Sequence, residues 1–199
     1  MGVDEAGRGP LAGPVAVGIV AVPSRFNWKL IEGVVDSKQM TELGREIWYE
    51  KVRILEREEE LRYRVVFSSV KVIDYYGIVR AVKRALHKGV RAIAPNPIGI
   101  RILLDGLLTA PPEYAQKTII RGDETEPLIA LASILAKVRR DRLMRAYALH
   151  YPGYSFEAHK GYGTKGHYAA IEKYGLCDIH RRTFCKVDQI KNKGIITSQ

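Results

Sequence analysis

Two acids stand side by side at Asp4 and Glu5, directly before Ala6-Gly7-Arg8-Gly9-Pro10, so a pair of carboxylates adjoins a glycine-flanked arginine. Such a pair can hold a hard divalent cation, and the backbone N–H groups around Arg8 suit a phosphate or a sugar hydroxyl. An acidic turn is the competing explanation for the pair alone. Taken alone, the pair favours that explanation; two further acids could join it, Asp105, after the apolar run Ile102-Leu103-Leu104, and Asp123, after Gly122. All four fall at or just after the carboxyl ends of expected strands, where an α/β sheet delivers side chains into one crevice. Like charges that close raise one another's pKa, an arrangement that makes sense around a neutralising cation, and an all-oxygen donor set points to Mg2+ or Mn2+. Successive residues of an ideal strand face opposite ways, so the strand carrying Asp4 and Glu5 must be ending or distorted there.

The elements that position these acids follow from hydrophobic patterning. The β-branched run from Val15 to Val22, bracketed by Pro14 and Pro23, reads as a central strand pairing with the one that ends at the first two acids. Thr41 caps an expected helix through about Glu59, with Leu43, Ile47, Val52 and Leu55 on one face. The alternation Leu61-Tyr63-Val65-Phe67 gives a strand, and Ile73, Ile78, Val79, Val82 and Leu86 give one crossover helix with Gly89 at its C-terminal cap. Strands at residues 100–104 and 116–120 lead to Asp105 and Asp123. A long helix from about Glu126 to His150 stops at Pro152-Gly153, and a short one is expected from His167 to Tyr174. Strands alternating with helices predict an α/β layered core over residues 1–150, with residues 151–199 a basic appendage whose last dozen residues fray.

Of the 199 residues, 137–199 hold 13 Lys or Arg against 5 Asp or Glu, so most of the net charge of +10 lies apart from the acids. A polyanionic partner follows from that distribution. No apolar run approaches the roughly 18–20 residues that span a bilayer, and Ala6 occupies the place where an N-myristoylation signal carries Ser or Thr. A soluble, cytoplasmic monomer with no membrane partner is expected. Cys177 and Cys185 make no disulfide framework; with His180 they lack a fourth zinc ligand at a recognised spacing, so free thiols are expected.

Further segments run along the chain in fixed order: Asp36-Ser37-Lys38, Ile102-Leu103-Leu104-Asp105-Gly106, Gly122-Asp123, Ala132-Ser133-Ile134-Leu135-Ala136-Lys137, Arg140-Asp141-Arg142, His159-Lys160-Gly161-Tyr162-Gly163-Thr164 and His180-Arg181-Arg182-Thr183-Phe184. With the opening Asp4-Glu5-Ala6-Gly7-Arg8-Gly9, the chain resembles ribonuclease HII from Gly2 to about Val187. The resemblance implies a ribonuclease H-like mixed sheet flanked by helices, with a small, mainly helical C-terminal appendage. It implies an endonuclease that hydrolyses the RNA strand of RNA–DNA hybrids and nicks ribonucleotide-containing duplex DNA 5′ to the embedded ribonucleotide. Two divalent ions, Mg2+ or Mn2+, would act there and leave 5′-phosphate and 3′-hydroxyl ends.

By motif, Asp4, Glu5, Asp105 and Asp123 correspond to the family's catalytic, metal-binding acids. Gly7, Arg8, Gly9 and Tyr162 correspond to the segments that recognise the ribonucleotide, and Ser37 and Lys38 to a segment that approaches substrate phosphate. Lys160, Lys165, Arg181 and Arg182 are further phosphate-contact candidates. Asp141 stands four residues after Lys137, where an i,i+4 ion pair and a place behind the metal ligands are equally good explanations. The chain departs from the family at Gly77, where relatives often carry Asn, and at Leu131, where alanine is usual. No glutamine-plus-aromatic clamp motif ends the chain. Two rivals stand beside this expectation: another nuclease of the same fold, such as a junction resolvase or a transposase-like core, and a nonenzymatic nucleic-acid-binding module.

Overall fold

The structure, a computed structural model, describes residues 1–185. The fraying expected of the last dozen residues lies outside these. Five strands form one sheet: β1 Gly2–Ala6, β2 Val15–Ala21, β3 Arg62–Ser68, β4 Arg101–Asp105 and β5 Ala115–Ile119, in the order β3-β2-β1-β4-β5. The pairs β1–β2 and β2–β3 are antiparallel, whereas β1–β4 and β4–β5 are parallel. Three strands therefore run the same way and finish at one edge. Asp4 and Glu5 lie there on β1, Asp105 ends β4, and Asp123 follows β5 by four residues.

The helices are α1 Glu42–Arg57, α2 Val70–Tyr76, α3 Ile78–Ile93, α4 Gly122–Thr125, α5 Pro127–His150, α6 Phe156–His159 and α7 Lys165–Tyr174. The Thr41 hydroxyl accepts the Gly44 N–H at 3.1 Å and so caps α1. α1 buries Tyr49, Val52 and Leu55 but leaves Leu43 and Ile47 exposed, unlike the expected face. Its first turns meet α5 through ion pairs, Glu42 with Arg145 and Glu46 with Arg142, and this turns the neighbouring apolar side chains outward.

The single crossover helix expected around residues 72–87 is two helices. Gly77, at φ +78°, breaks the chain between α2 and α3 in the left-handed region that glycine tolerates. Gly89 is no cap: it is buried inside α3, where a Cβ would lie 2.2 Å from Ile19 Cδ1.

α3 covers one face of the sheet with Val82, Leu86 and Val90 against Val17 and Ile19. α5 covers the other, with Leu131, Leu135 and Val138 beside Val20 and α1. Leu131 is fully buried in this layer. Residues after Tyr151 bury Tyr154, Phe156, Ile171 and Ile179 against Leu11, Ala12 and Met144, joining the appendage to the loop after β1 and to the last turns of α5.

Candidate active site

Asp4 is buried on β1, and its Oδ1 accepts the Glu5 N–H at 2.7 Å. Ser133 of α5 lies beside it and draws its pKa down against burial, and the Ser133 hydroxyl meets the Ser37 hydroxyl at 2.7 Å. β1 ends one residue past Glu5, at Ala6, and the two adjacent carboxylates take different partners: Glu5 accepts the Arg8 guanidinium at 3.1 Å. Asp105 is half-buried, its Oδ1 accepting the Gly122 N–H at 2.8 Å. Asp123 is buried on α4, just after Arg121 enters the left-handed region at φ +54°. Its Oδ2 accepts the Lys38 ammonium at 2.6 Å, and the same ammonium lies 3.9 Å from Asp36.

Burial is the largest influence on three of these acids, and mutual repulsion adds to it. Asp4 is pushed well above the ordinary carboxylate pKa by burial and then by Glu5 and Asp105. Glu5 is raised by burial against the pull of Arg8, and Asp105 by burial and by Asp123. Lys38 is raised chiefly by its hydrogen bond to Asp123. A cation held among crowded, destabilised carboxylates fits the donor set of a hard divalent ion. Among the described residues no three His, Cys, Asp or Glu side chains converge on one point as they stand. Arg8 and Lys38 engage two of the four acids instead. Ligation needs those two carboxylates to exchange a cationic side chain for the ion.

The Gly7-Arg8-Gly9 loop and Tyr162 are brought together by two buried arginines. Arg181 donates from Nε to Gly13 O at 2.9 Å and from its terminal nitrogens to Arg8 O at 2.7 Å and Gly7 O at 2.6 Å. Arg140 of α5 donates to Pro14 O at 2.9 Å, Lys160 O at 3.0 Å and Ala12 O at 3.1 Å. A Cβ on Gly7 would stand 2.0 Å from Arg140 Nε, so glycine there makes the close packing possible. The Gly7 and Arg8 carbonyls are thereby drawn inward, away from a ligand on the outer side of the loop. Tyr162 is 44% exposed, with its ring 5.9 Å from the Arg140 guanidinium carbon.

Two phosphate-contact candidates change role. Arg181 is fully buried, and its guanidinium is engaged by three carbonyls, so it shapes the loop instead of meeting phosphate. Burial, then Arg140, brings its pKa down to about 9. Ser37 is buried against Ser133, and its hydroxyl faces the protein. Lys38, Lys165 and Arg182 are exposed, whereas the half-buried Lys160 turns its ammonium to the Glu157 carbonyl. Asp141 is buried in the i,i+4 pair with Lys137 at 2.9 Å. Cys177 and Cys185 are free thiols. Sequence reasoning missed Arg140 and the clustered His159, His167 and His180. Arg140 has a signal in hindsight, because it falls four residues from both Ala136 and Met144 on a stripe that the α/β core buries.

The family model of ribonuclease HII matches residues 1–187. The chain is 45% identical over 185 residues to a ribonuclease HII of Ruminiclostridium cellulolyticum, covering 93% of this chain and 69% of that protein. It is 42% identical over 193 residues to one of Bacillus cytotoxicus, covering 96% and 71%. Among solved structures, the ribonuclease H2 of Pyrococcus horikoshii aligns with TM-score 0.67 at 27% identity over 96% of both chains. A ribonuclease HII in complex with PCNA from Archaeoglobus fulgidus shares the fold with TM-score 0.74 at 22% identity, over 96% of this chain and 95% of that one. With the family model matched over residues 1–187 and relatives at 42–45% identity along nearly the whole chain, the chain belongs to the ribonuclease HII family, hydrolases that cleave the RNA of RNA–DNA hybrids.

Proposed function

We propose that this protein is a divalent-metal-dependent endonuclease that cuts RNA–DNA hybrids and also nicks duplex DNA 5′ to a single embedded ribonucleotide, with Asp4, Glu5, Asp105 and Asp123 as the metal-binding acids. One contact carries this reading. The Arg8–Glu5 ion pair joins the Gly7-Arg8-Gly9 loop directly to the acid cluster, so a nucleotide held by the loop has its phosphate beside the carboxylates. Two Mg2+ or Mn2+ ions, when bound, supply Lewis acidity toward the attacking water and the leaving 3′ oxygen.

The chain's own groups prepare that site. Asp4 is oriented by the Glu5 N–H and Asp105 by the Gly122 N–H, so both keep their aim without a cation. Lys38 neutralises Asp123 and, on release, is free to move toward a phosphate oxygen. The N–H groups of residues 7–9 approach the ribose 2′-hydroxyl, the group that distinguishes RNA from DNA at one sugar, and the Tyr162 ring stacks against it. Lys165 and Arg182 contact backbone phosphates. The proposal extends to a cytoplasmic monomer with a core over residues 1–150 and a substrate-binding appendage over 151–199. No helix among the described residues is long and apolar enough to cross a membrane.

The test is a DNA duplex containing one ribonucleotide, incubated with the protein and Mg2+ or Mn2+, with the nick mapped to the nucleotide. A nick 5′ to the ribonucleotide, with a 3′-hydroxyl and a 5′-phosphate, is expected. Asp105→Asn is expected to abolish cleavage while hybrid binding persists, because it removes charge from the cluster and leaves the basic surface intact. Cleavage of an all-DNA junction in place of the ribonucleotide duplex would overturn the assignment.

A further inference from the structure

Behind Tyr162 lies a run of imidazoles that cleavage chemistry does not use. The Tyr162 carbonyl accepts the Thr164 N–H at 2.9 Å and lies 2.9 Å from His167 Nδ1. His167 Nε2 is 3.0 Å from His180 Nε2, and His180 Nδ1 receives the Cys177 N–H at 2.9 Å. Protons can be assigned along this path. A backbone N–H only donates, so His180 Nδ1 is a bare acceptor and the His180 proton is on Nε2. That proton goes to His167 Nε2, which is then bare, and the His167 proton on Nδ1 is donated to the Tyr162 carbonyl.

His159, stacked on His167 with ring centroids 4.3 Å apart, is fixed in the same way. Gly161 N–H donates to its Nδ1 at 3.1 Å, and its Nε2–H donates to Tyr154 O at 2.7 Å. Each of the three rings has one allowed neutral tautomer, and an extra proton on any of them sets N–H against N–H.

The surroundings keep these rings neutral. His167 and His180 are buried, and Phe156 packs against both. The titratable groups facing the cluster are Glu157 and Lys160 beside His159, with Cys177 and Tyr154 beside His180 and Asp178 beyond Cys177. Burial brings His167 and His180 down to about 4, and His159 is lowered for the same reason.

We propose that His167, held in one tautomer by His180, is a positioning residue for Tyr162, and that this relay sets how well the enzyme acts on a lone ribonucleotide. The inference rests on the assignment of Tyr162 as the ring that meets the ribonucleotide sugar. Tyr162 lies between Gly161 and Gly163; its N–H is held by the His159 carbonyl and its own carbonyl by the Thr164 N–H, each at 2.9 Å, and His167 gives that carbonyl its one side-chain anchor among the described residues. Anchoring the Tyr162 carbonyl fixes the orientation of the following peptide and, with it, the placement of the ring. A small misplacement at a reacting sugar is enough to lower turnover substantially.

The experiment has two arms. In the first, side-chain 15N spectra of the histidines are followed from pH 7.5 to 5.5, with the exposed His150 as internal reference. Nδ1–H on His167 and Nε2–H on His180 and His159, unchanged across that range, are expected; a charged ring or the opposite tautomer overturns the relay. In the second, His167→Ala and His167→Asn are placed in the parent and in Tyr162→Ala, and kcat/KM is measured on a one-ribonucleotide duplex and on a long hybrid. His167→Ala is expected to lose about tenfold or more on the one-ribonucleotide duplex and clearly less on the hybrid. Asparagine, whose amide can donate from the Nδ1 position, is expected to restore most of the loss. In Tyr162→Ala, adding His167→Ala is expected to change either substrate by less than about twofold. An equal loss in both backgrounds overturns positioning through Tyr162. Full activity of Tyr162→Ala alone overturns the assignment of Tyr162, an outcome that the spectra separate from failure of the relay. Should His167→Ala not fold, His167→Leu, which fills the space but donates no hydrogen bond, takes its place in the same comparison, with His167→Asn again the restoring variant.

Discussion

Arg140 and Arg181 are buried cations that, among the described residues, hydrogen-bond no carboxylate; six backbone carbonyls from the loops around residues 7–14 and 160 solvate them instead. A planar guanidinium can serve three acceptors at fixed angles, whereas a lysine ammonium on a shorter reach cannot. Arg181→Lys is therefore expected to leave at least one buried carbonyl unpaired, at about 1–3 kcal/mol. A lowered melting temperature together with a larger loss of kcat/KM on a one-ribonucleotide duplex than on a long hybrid is the expected result, and wild-type behaviour in both would remove Arg181 from loop placement. At Tyr162, phenylalanine keeps the stacking face and loses one hydrogen bond of roughly 0.5–1.5 kcal/mol, while alanine loses both. The expected order of kcat/KM on the one-ribonucleotide duplex is parent, then Tyr162→Phe, then Tyr162→Ala.

At the scale of elements, the acids depend on how closely α5 lies on the sheet. A Cβ added at Gly18 in β2 would meet Ala132 O of α5 at 2.1 Å, a backbone atom that cannot step aside. Gly18→Ala is therefore expected to push α5 away from the strands that carry the site and to destabilise by at least the 1–3 kcal/mol typical of overpacking, roughly 2–4 °C of melting temperature per kcal/mol at this chain length. Ser133 rides on the same helix, so activity should fall with stability. Gly166→Ala in α7 is the matched control: nothing lies within 4 Å of the added carbon, and alanine is the better helix former by about 1 kcal/mol. That variant is expected to melt at or above the parent's temperature.

For the whole molecule, two groups of buried ionisable residues respond to pH in opposite directions. Asp4, Glu5 and Asp105 have raised pKa values in the fold, so without metal the folded chain binds more protons than the unfolded one, and stability falls as pH rises through those values. A divalent ion reverses that penalty. Mn2+ is expected to raise the melting temperature more at pH 7.5 than at pH 5 and to release protons on binding, which calorimetry in buffers of different ionisation enthalpy would detect. His167 and His180, lowered to about 4, contribute stability that is complete above pH 6.5 and lost as pH falls toward 4. Replacing His180 with Gln is expected to flatten the acid limb of the stability curve. Long-range charge makes a separate prediction: neutralising Lys165 and Arg182 should lower the log–log salt slope of hybrid binding by up to about one unit for each lost phosphate contact.

Much of this protein is written in local chemistry. Thr41 as a cap, the β-branched run of β2, Pro152-Gly153 after α5 and the acids at strand ends all depend on neighbours in sequence, and the structure puts them where patterning predicts. The motif residues identify the family for the same reason, since each is a residue type at a fixed spacing. What patterning could not supply are the roles that depend on distant partners. Arg181 looks like a surface cation in His180-Arg181-Arg182 until the loop around Gly7 closes over it across more than 170 positions. Leu43 and Ile47 look apolar and inward until Arg142 and Arg145 of α5 draw Glu42 and Glu46 to the interface. The imidazole relay is invisible for the same reason. The histidines take their tautomers from partners that only the fold supplies, and folding is what brings His167 to 2.9 Å from the Tyr162 carbonyl and 3.0 Å from His180.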